Sequence, residues 1–181
     1  IVNYQNKNFT KTKNIAEKIT KSYPDYFLAW KILGFLLLQE NKINDSITSL
    51  SNATKLDPKD YETYNNLGRA YLATGKLNDA EVAFIQSTSL KSDYFPAQYN
   101  LAMTYGKLGK LVEAEEIYKI VIKLNPNHAE AYYYLGNILV KLNKTDKAEK
   151  AYLNAIKIKP DYSICFNNLG VIYWGKGMFE E

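Results

Sequence analysis

Two side chains in this sequence carry the reactivity that covalent or metal chemistry would need, and they stand far apart. His128 and Cys165 are the single residues of their types, 37 positions from one another. Acid–base or metal catalysis needs several ligands or paired titratable groups converging on one pocket. The sequence therefore predicts no catalytic residue and no metal ligand, with His128 a solvent-facing loop residue and Cys165 a small buried filler beside Phe166. A cofactor is not expected either: every glycine falls in a repeated packing or turn position, apart from Gly106 and Gly175 near helix ends, and none builds a phosphate-cradling loop. The chemistry that does recur is that of asparagine. YNNLG at 64–68 carries Asn65 and Asn66, FNNLG at 166–170 carries Asn167 and Asn168, and QYNLA at 98–102 carries Asn100. An Asn side chain offers a donor and an acceptor together and matches a main-chain peptide group, whereas Tyr adds rigid contact area with a polar tip. The chemistry available is recognition of a polypeptide rather than turnover.

The spacing of these residues leads to the elements that must hold them. Asn66 and Asn100 are 34 residues apart, and Asn168 follows 68 later. The same interval separates Pro24 from Pro58 and Pro126 from Pro160. It also orders Leu33, Leu67, Leu101, Leu135 and Leu169, each followed by a small residue: Gly34, Gly68, Ala102, Gly136 and Gly170. Within one period Tyr64, Leu67, Gly68 and Tyr71 share one face of a first helix, and Ala80, Phe84 and Ser87 share one face of a second. Between the helices runs a column of Asn41, Gly75, Gly109, Asn143 and Gly177, residue types that accept a left-handed backbone and end helices. Asn78 with Glu81, and Asp146 with Glu149, read as capping boxes that open second helices. Pro58, Pro126 and Pro160 bar continuation of the second helices, while Pro96 suits the first turn of one.

Bulk properties narrow the class. Of 181 residues 46% are hydrophobic, enough to build a core without staples, and one cysteine excludes an internal disulfide, which fits a reducing, cytoplasmic setting. No apolar run approaches the roughly 20 residues of a membrane span; ILGFLLL at 32–38 is bounded by Lys31 and Gln39. The net charge of +4 is matched by residues 1–24 alone, which hold five Lys and one Glu, and no basic stripe lies beyond them. Nucleic acid and membrane are therefore not expected as partners. The chain begins at Ile1 without a leader pattern, which suggests a mature product or a piece of something longer.

The pattern W-x2-L-G-x2-Y, then A-x3-F, then P, at a 34-residue period, resembles that of the tetratricopeptide repeat family. The matches are Trp30, Leu33, Gly34 and Leu37; then Tyr64, Leu67, Gly68, Tyr71, Ala80 and Phe84; then Gln98, Leu101, Ala102, Tyr105, Ala114, Tyr118 and Pro126; then Tyr132, Leu135, Gly136, Leu139, Ala148, Tyr152 and Pro160. Ser92, Gln98 and Ser46 depart from the pattern and are expected to loosen local packing. The resemblance implies an all-α, right-handed superhelical solenoid in one domain over 1–181. Its full repeats would be 27–60, 61–94, 95–128 and 129–162, between a degenerate partial repeat at 1–26 and a truncated one at 163–181.

In arrays of this family the first helices line the concave side. At about 100° per residue the side chains opposite the packing face are then Lys31 and Phe35; Asn65, Asn66 and Arg69; Tyr99, Asn100 and Met103; Tyr133, Tyr134 and Asn137; and Asn167 and Asn168. The resemblance implies that these residues form a peptide-binding groove and that the chain is a non-catalytic scaffold for a protein or extended peptide. Asn66, Asn100 and Asn168 also occupy the slot of the asparagine ladder in the arrays of O-linked N-acetylglucosamine transferases, with Ile32 and Tyr134 breaking the series. The alternative reading is therefore the substrate-recognition arm of a transferase whose catalytic domain lies outside the segment. A carboxylate-clamp reading fails: Lys31 and Asn66 match, but Phe35, Pro96 and Asn100 stand where an Asn and two cations are needed. The final helix is expected to leave Ile172 and Trp174 uncovered, at an end that either continues in a longer chain or stacks on a second copy as a homodimer.

Overall fold

The computed structural model describes residues 2–177, with side chains from residue 8 onward. All regular structure among them is helical: α1 (Val2–Ser22), α2 (Phe27–Gln39), α3 (Ile43–Leu56), α4 (Tyr61–Ala73), α5 (Leu77–Leu90), α6 (Phe95–Leu108), α7 (Leu111–Leu124), α8 (Ala129–Lys141), α9 (Thr145–Ile158) and α10 (Ser163–Gly175). They form two compact units, Ile1–Tyr94 with α1–α5 and Phe95–Glu181 with α6–α10. Within each unit every helix packs on its neighbour in sequence, and alternate helices touch as well, α2 with α4 and α6 with α8.

The helices end where the backbone is turned left-handed. Asn41, Gly75, Gly109, Asn143 and Gly177 all take positive φ, between 58° and 76°. At Gly75 this lets the Lys76 amide donate back to the Tyr71 carbonyl at 3.0 Å and the Gly75 amide to the Leu72 carbonyl at 3.1 Å, a double bond pattern that satisfies the last carbonyls of α4. The turn runs straight into the next helix. Lys76 and Lys144 thereby fill the slots before α5 and α9, and neither makes a side-chain cap. The expected capping boxes are consequently not formed: Asn78 and Asp146 sit one residue inside their helices. Asp146 and Glu149 instead accept from Lys176 Nζ at 2.8 and 2.6 Å.

One column sets how closely the helices of a pair approach. Leu50, Phe84, Tyr118 and Tyr152, each 34 residues from the next, are the largest fully buried side chains. Each lies 16 residues after the small residue that follows the leucine column. A Cβ at Gly68 would stand 2.6 Å from Phe84 Cε1, one at Gly136 2.5 Å from Tyr152 Cε1, and one at Gly34 2.6 Å from Leu50 Cγ. The glycines are present because a ring or an isobutyl group rests directly on the helix backbone, and burial of each such side chain is worth about 1.5–3 kcal/mol. Ser46, expected to loosen its pair, instead donates its hydroxyl to the Gly34 carbonyl at 2.7 Å in a fully buried position. In the second unit Ile172 is only 6% exposed and belongs to the core, contrary to the expectation for it; Trp174 is 70% exposed.

Candidate functional site

The first helices are positioned by caps that differ between the units. In the first unit the Asp60 carboxylate accepts from the Thr63 amide at 2.7 Å and starts α4. Its other oxygen accepts from Lys31 Nζ at 2.8 Å, and Glu62 Oε2 takes the same ammonium at 2.7 Å. Partial burial opposes the charge on Lys31, but the hydrogen bonds it donates to Asp60 and Glu62 outweigh it and hold the ammonium above its usual pKa. Burial likewise opposes the charge on Asp60, yet Lys31 and the Thr63 donor keep the carboxyl below its usual range. The first-helix face of this unit is thus organised around an ion triad joining α2 to the start of α4. Phe35 is exposed on α2. Asn66, half-buried, accepts from Arg69 Nη1 at 3.3 Å.

Asn65 departs from the sequence reading. It is 4% exposed, not on the open face. The reason is that α4 packs against α3 on one side and α5 on the other, with α2 also in contact, so its buried arc is wider than a one-sided helical wheel allows.

In the second unit the face is aromatic. His128, expected in solvent, is half-buried and caps α8, its Nδ1 accepting from the Ala131 amide at 3.1 Å. Its ring centre lies 5.1 Å from those of both Phe95 and Tyr99, which stack on each other at 6.0 Å. The run continues from Tyr99 to Tyr134 at 6.3 Å, to Tyr133 at 5.1 Å and to Tyr162 at 5.5 Å. Tyr134 also stacks on the buried Tyr118, 6.2 Å away. Burial pushes the phenols of Tyr99 and Tyr162 up to about 12, and that of Tyr118 further, so all stay neutral and able to donate a hydrogen bond.

Beside this run the predicted residues Asn137 and Asn168 come together. Asn137 Oδ1 accepts from Tyr152 Oη at 2.7 Å and from Asn168 Nδ2 at 3.1 Å. They border a cavity of about 340 Å³ that is also lined by Val140, Lys141, Tyr152, Val171 and Ile172. Asn167 is exposed on α10, while Met103 and Asn100 are half-buried on α6, where the Asn100 carbonyl accepts from Thr104 Oγ1 at 2.7 Å. Cys165 is fully buried in the core of this unit, and burial raises its thiol pKa. No group of three or more His, Cys, Asp or Glu side chains able to hold a metal occurs among the described residues, and no helix there is long and apolar enough to cross a membrane.

The sequence reading missed Phe95, His128 and Tyr162 as members of the aromatic run and Asp60 as the anchor of Lys31. A signal existed: Tyr26, Asp60, Tyr94, His128 and Tyr162 form their own 34-residue column, each standing immediately before a first helix or, at Tyr94, before Phe95 at the start of α6.

Comparison with known proteins agrees with this architecture. Models of the tetratricopeptide repeat match residues 34–75, 61–94 and 99–163. No curated protein sequence matches the chain. Among solved structures, MamA superimposes with a TM-score of 0.82 at 24% identity, covering 88% of this chain and 94% of that one. A second MamA structure gives 0.78 at 27% identity, over 93% and 85%. YrrB, described as a tetratricopeptide repeat protein with an unusual peptide-binding site, gives 0.84 at 17% identity, over 92% and 86%.

Proposed function

The chain belongs to the tetratricopeptide repeat family, and from that premise we propose that it is a non-catalytic scaffold whose first-helix faces hold a protein or extended peptide. The observation that carries this reading is the Asn137–Asn168 pair. With Asn137 Oδ1 already taken by Tyr152 and Asn168, the Asn137 side-chain N–H groups and the Asn168 side-chain oxygen Oδ1 have no partner among the described residues. One donor group and one acceptor at the edge of a cavity match what a main-chain peptide unit presents, and the neighbouring Val140, Val171 and Ile172 suit the side chain beside it. In the first unit Asn66, Arg69 and the Lys31 triad supply a more polar counterpart.

The test is a triple substitution, Asn66→Ala, Asn100→Ala and Asn168→Ala, in the full chain, assayed with peptides selected from a random dodecapeptide library panned on the unsubstituted chain. Three hydrogen bonds of about 0.5–1.5 kcal/mol each predict at least a tenfold loss of peptide affinity. Melting should stay near the parent value. A drop as large as that of Leu101→Ala, about 2–5 kcal/mol, would make these asparagines structural and end the proposal.

A further inference from the structure

We propose that Tyr152 is the positioning residue of the Asn137–Asn168 pair: its buried hydroxyl fixes which way both side-chain amides face, and so where a bound peptide must place its carbonyl and its N–H. This rests on the reading that the pair grips a main-chain peptide unit, and it names what sets the polarity of that grip. The first observation is placement. Ala148 and Tyr152 lie one turn apart on the buried side of α9, at most 1% exposed. The Tyr152 ring rests on the backbone of α8, where a Cβ at Gly136 would stand 2.5 Å from its Cε1. A ring held this way cannot swing aside, so its hydroxyl emerges at one point, in the wall of the cavity that Asn137 and Asn168 border.

The second observation is the order of donors and acceptors. An asparagine head can turn over by half a rotation, exchanging its oxygen for its NH2, and only its partners fix the choice. Burial raises the Tyr152 phenol to about 12, and a hydrogen bond from Asn168 offsets part of that rise. The accepting side of the phenol oxygen is thus served by Asn168, and its one proton is left for Asn137 Oδ1, 2.7 Å away. Asn137 must then keep its oxygen toward Tyr152 and turn its NH2 away. The same oxygen takes Asn168 Nδ2 at 3.1 Å, so Asn168 keeps its NH2 inward and turns Oδ1 away. The outward groups are a donor on α8 and an acceptor on α10. A peptide laid across them has to present a carbonyl to Asn137 and an N–H to Asn168.

The third observation is that packing does not require the hydroxyl. Leu50 and Phe84 fill the same column fully buried without one. The three slots are also differently occupied in the other periods. One period earlier they hold Tyr118, Met103 and Tyr134: a thioether replaces the acceptor, and Tyr134 stacks on the Tyr118 ring at 6.2 Å. Two periods earlier they hold Phe84, Arg69 and Asn100, and three earlier Leu50, Phe35 and Asn66. The phenol occurs together with both asparagines in one period alone.

The experiment follows the side-chain amide resonances of the isotope-labelled full chain and its affinity for a dodecapeptide panned on the unsubstituted chain. Tyr152→Phe keeps the ring and is expected to shift the Asn137 and Asn168 side-chain amides without any peptide present, whereas Tyr118→Phe, a hydroxyl lost from the same column, leaves them in place. Tyr152→Phe should weaken the peptide about three- to tenfold, as the fraction of correctly turned amides falls. In an Asn137→Ala background, itself weakened, adding Tyr152→Phe should cost no further affinity, because Tyr152 acts through Asn137. A purely structural hydroxyl would lower affinity equally in both backgrounds. That result, or amides unmoved by Tyr152→Phe, or an unaltered affinity in Tyr152→Phe while Asn137→Ala weakens binding, overturns the proposal and leaves the peptide-binding reading standing. If Asn137→Ala binds as the parent does, or if panning yields no binder, that reading falls and the proposal with it.

Discussion

The two units are written in one 34-residue plan and differ in what they place on the side of the first helices. In the first, α2 and α4 are joined by Lys31, Asp60 and Glu62. In the second, α6, α8 and the start of α10 present rings from Phe95 to Tyr162. The packing columns scarcely change between them: Leu50 and Phe84 in one unit answer Tyr118 and Tyr152 in the other, all fully buried. The difference teaches that the period constrains only the positions that touch a neighbouring helix. The remainder of each first helix is free to diverge, and it is there that the ion triad and the aromatic run differ.

The comparison breaks first if the packing columns are not equivalent. Phe84→Ala and Tyr118→Ala, one in each unit, are each expected to cost about 3–5 kcal/mol in denaturant unfolding. A loss below 1 kcal/mol in either would mean that its unit is held together differently. Next in size, Gly68→Ala and Gly136→Ala press a methyl into the Phe84 and Tyr152 rings and should each cost about 1–3 kcal/mol. Gly170→Ala meets open space and should gain up to about 1 kcal/mol of helix stability, so a chemical melt of the three variants separates contact from propensity.

Smaller effects sharpen the contrast between ions and rings. Asp60→Ala removes the cap of α4 and one partner of Lys31, for an expected loss of about 0.5–2 kcal/mol that shrinks as salt is added. The counterpart in the second unit, His128→Ala, should be insensitive to salt. The smallest effect belongs to mild acid. Hydrogen bonds from Lys119 and Lys144 hold the Glu115 carboxyl below its ordinary 4.5, so the folded state binds its proton less readily than the unfolded chain does. That stabilisation is complete well above pH 4.5 and is lost as pH falls through the folded pKa. At pH 4 the loss is at most about 0.8 kcal/mol, and Glu115→Gln should remove this part of the pH dependence.

Much of the fold was legible because close packing repeats without tolerance. Leu67, Gly68 and Phe84 announce a helix pair, and Gly75 announces its turn, since few residue types satisfy a ring laid on a backbone or a positive φ. The capping boxes were misread for a physical reason of the same kind: the left-handed turn leaves no spare residue before the second helix, so Lys76 and Lys144 take the slot. The candidate site was legible only in part. A helical wheel places residues around one axis, and it put Asn65 outside because it does not include the flanking helices α3 and α5. His128 and Tyr162 were obscured because their role depends on rings brought from other helices.

Cys165 gives the second unit a built-in clock. A thiol that is fully enclosed and whose ionisation is suppressed cannot meet a disulfide reagent until the surrounding structure opens. The rate of its modification in native buffer therefore counts the openings that free α10 from α9, and its dependence on denaturant distinguishes fraying of one helix from release of the whole unit. Because the sequence contains no second cysteine, that reading requires no engineered background.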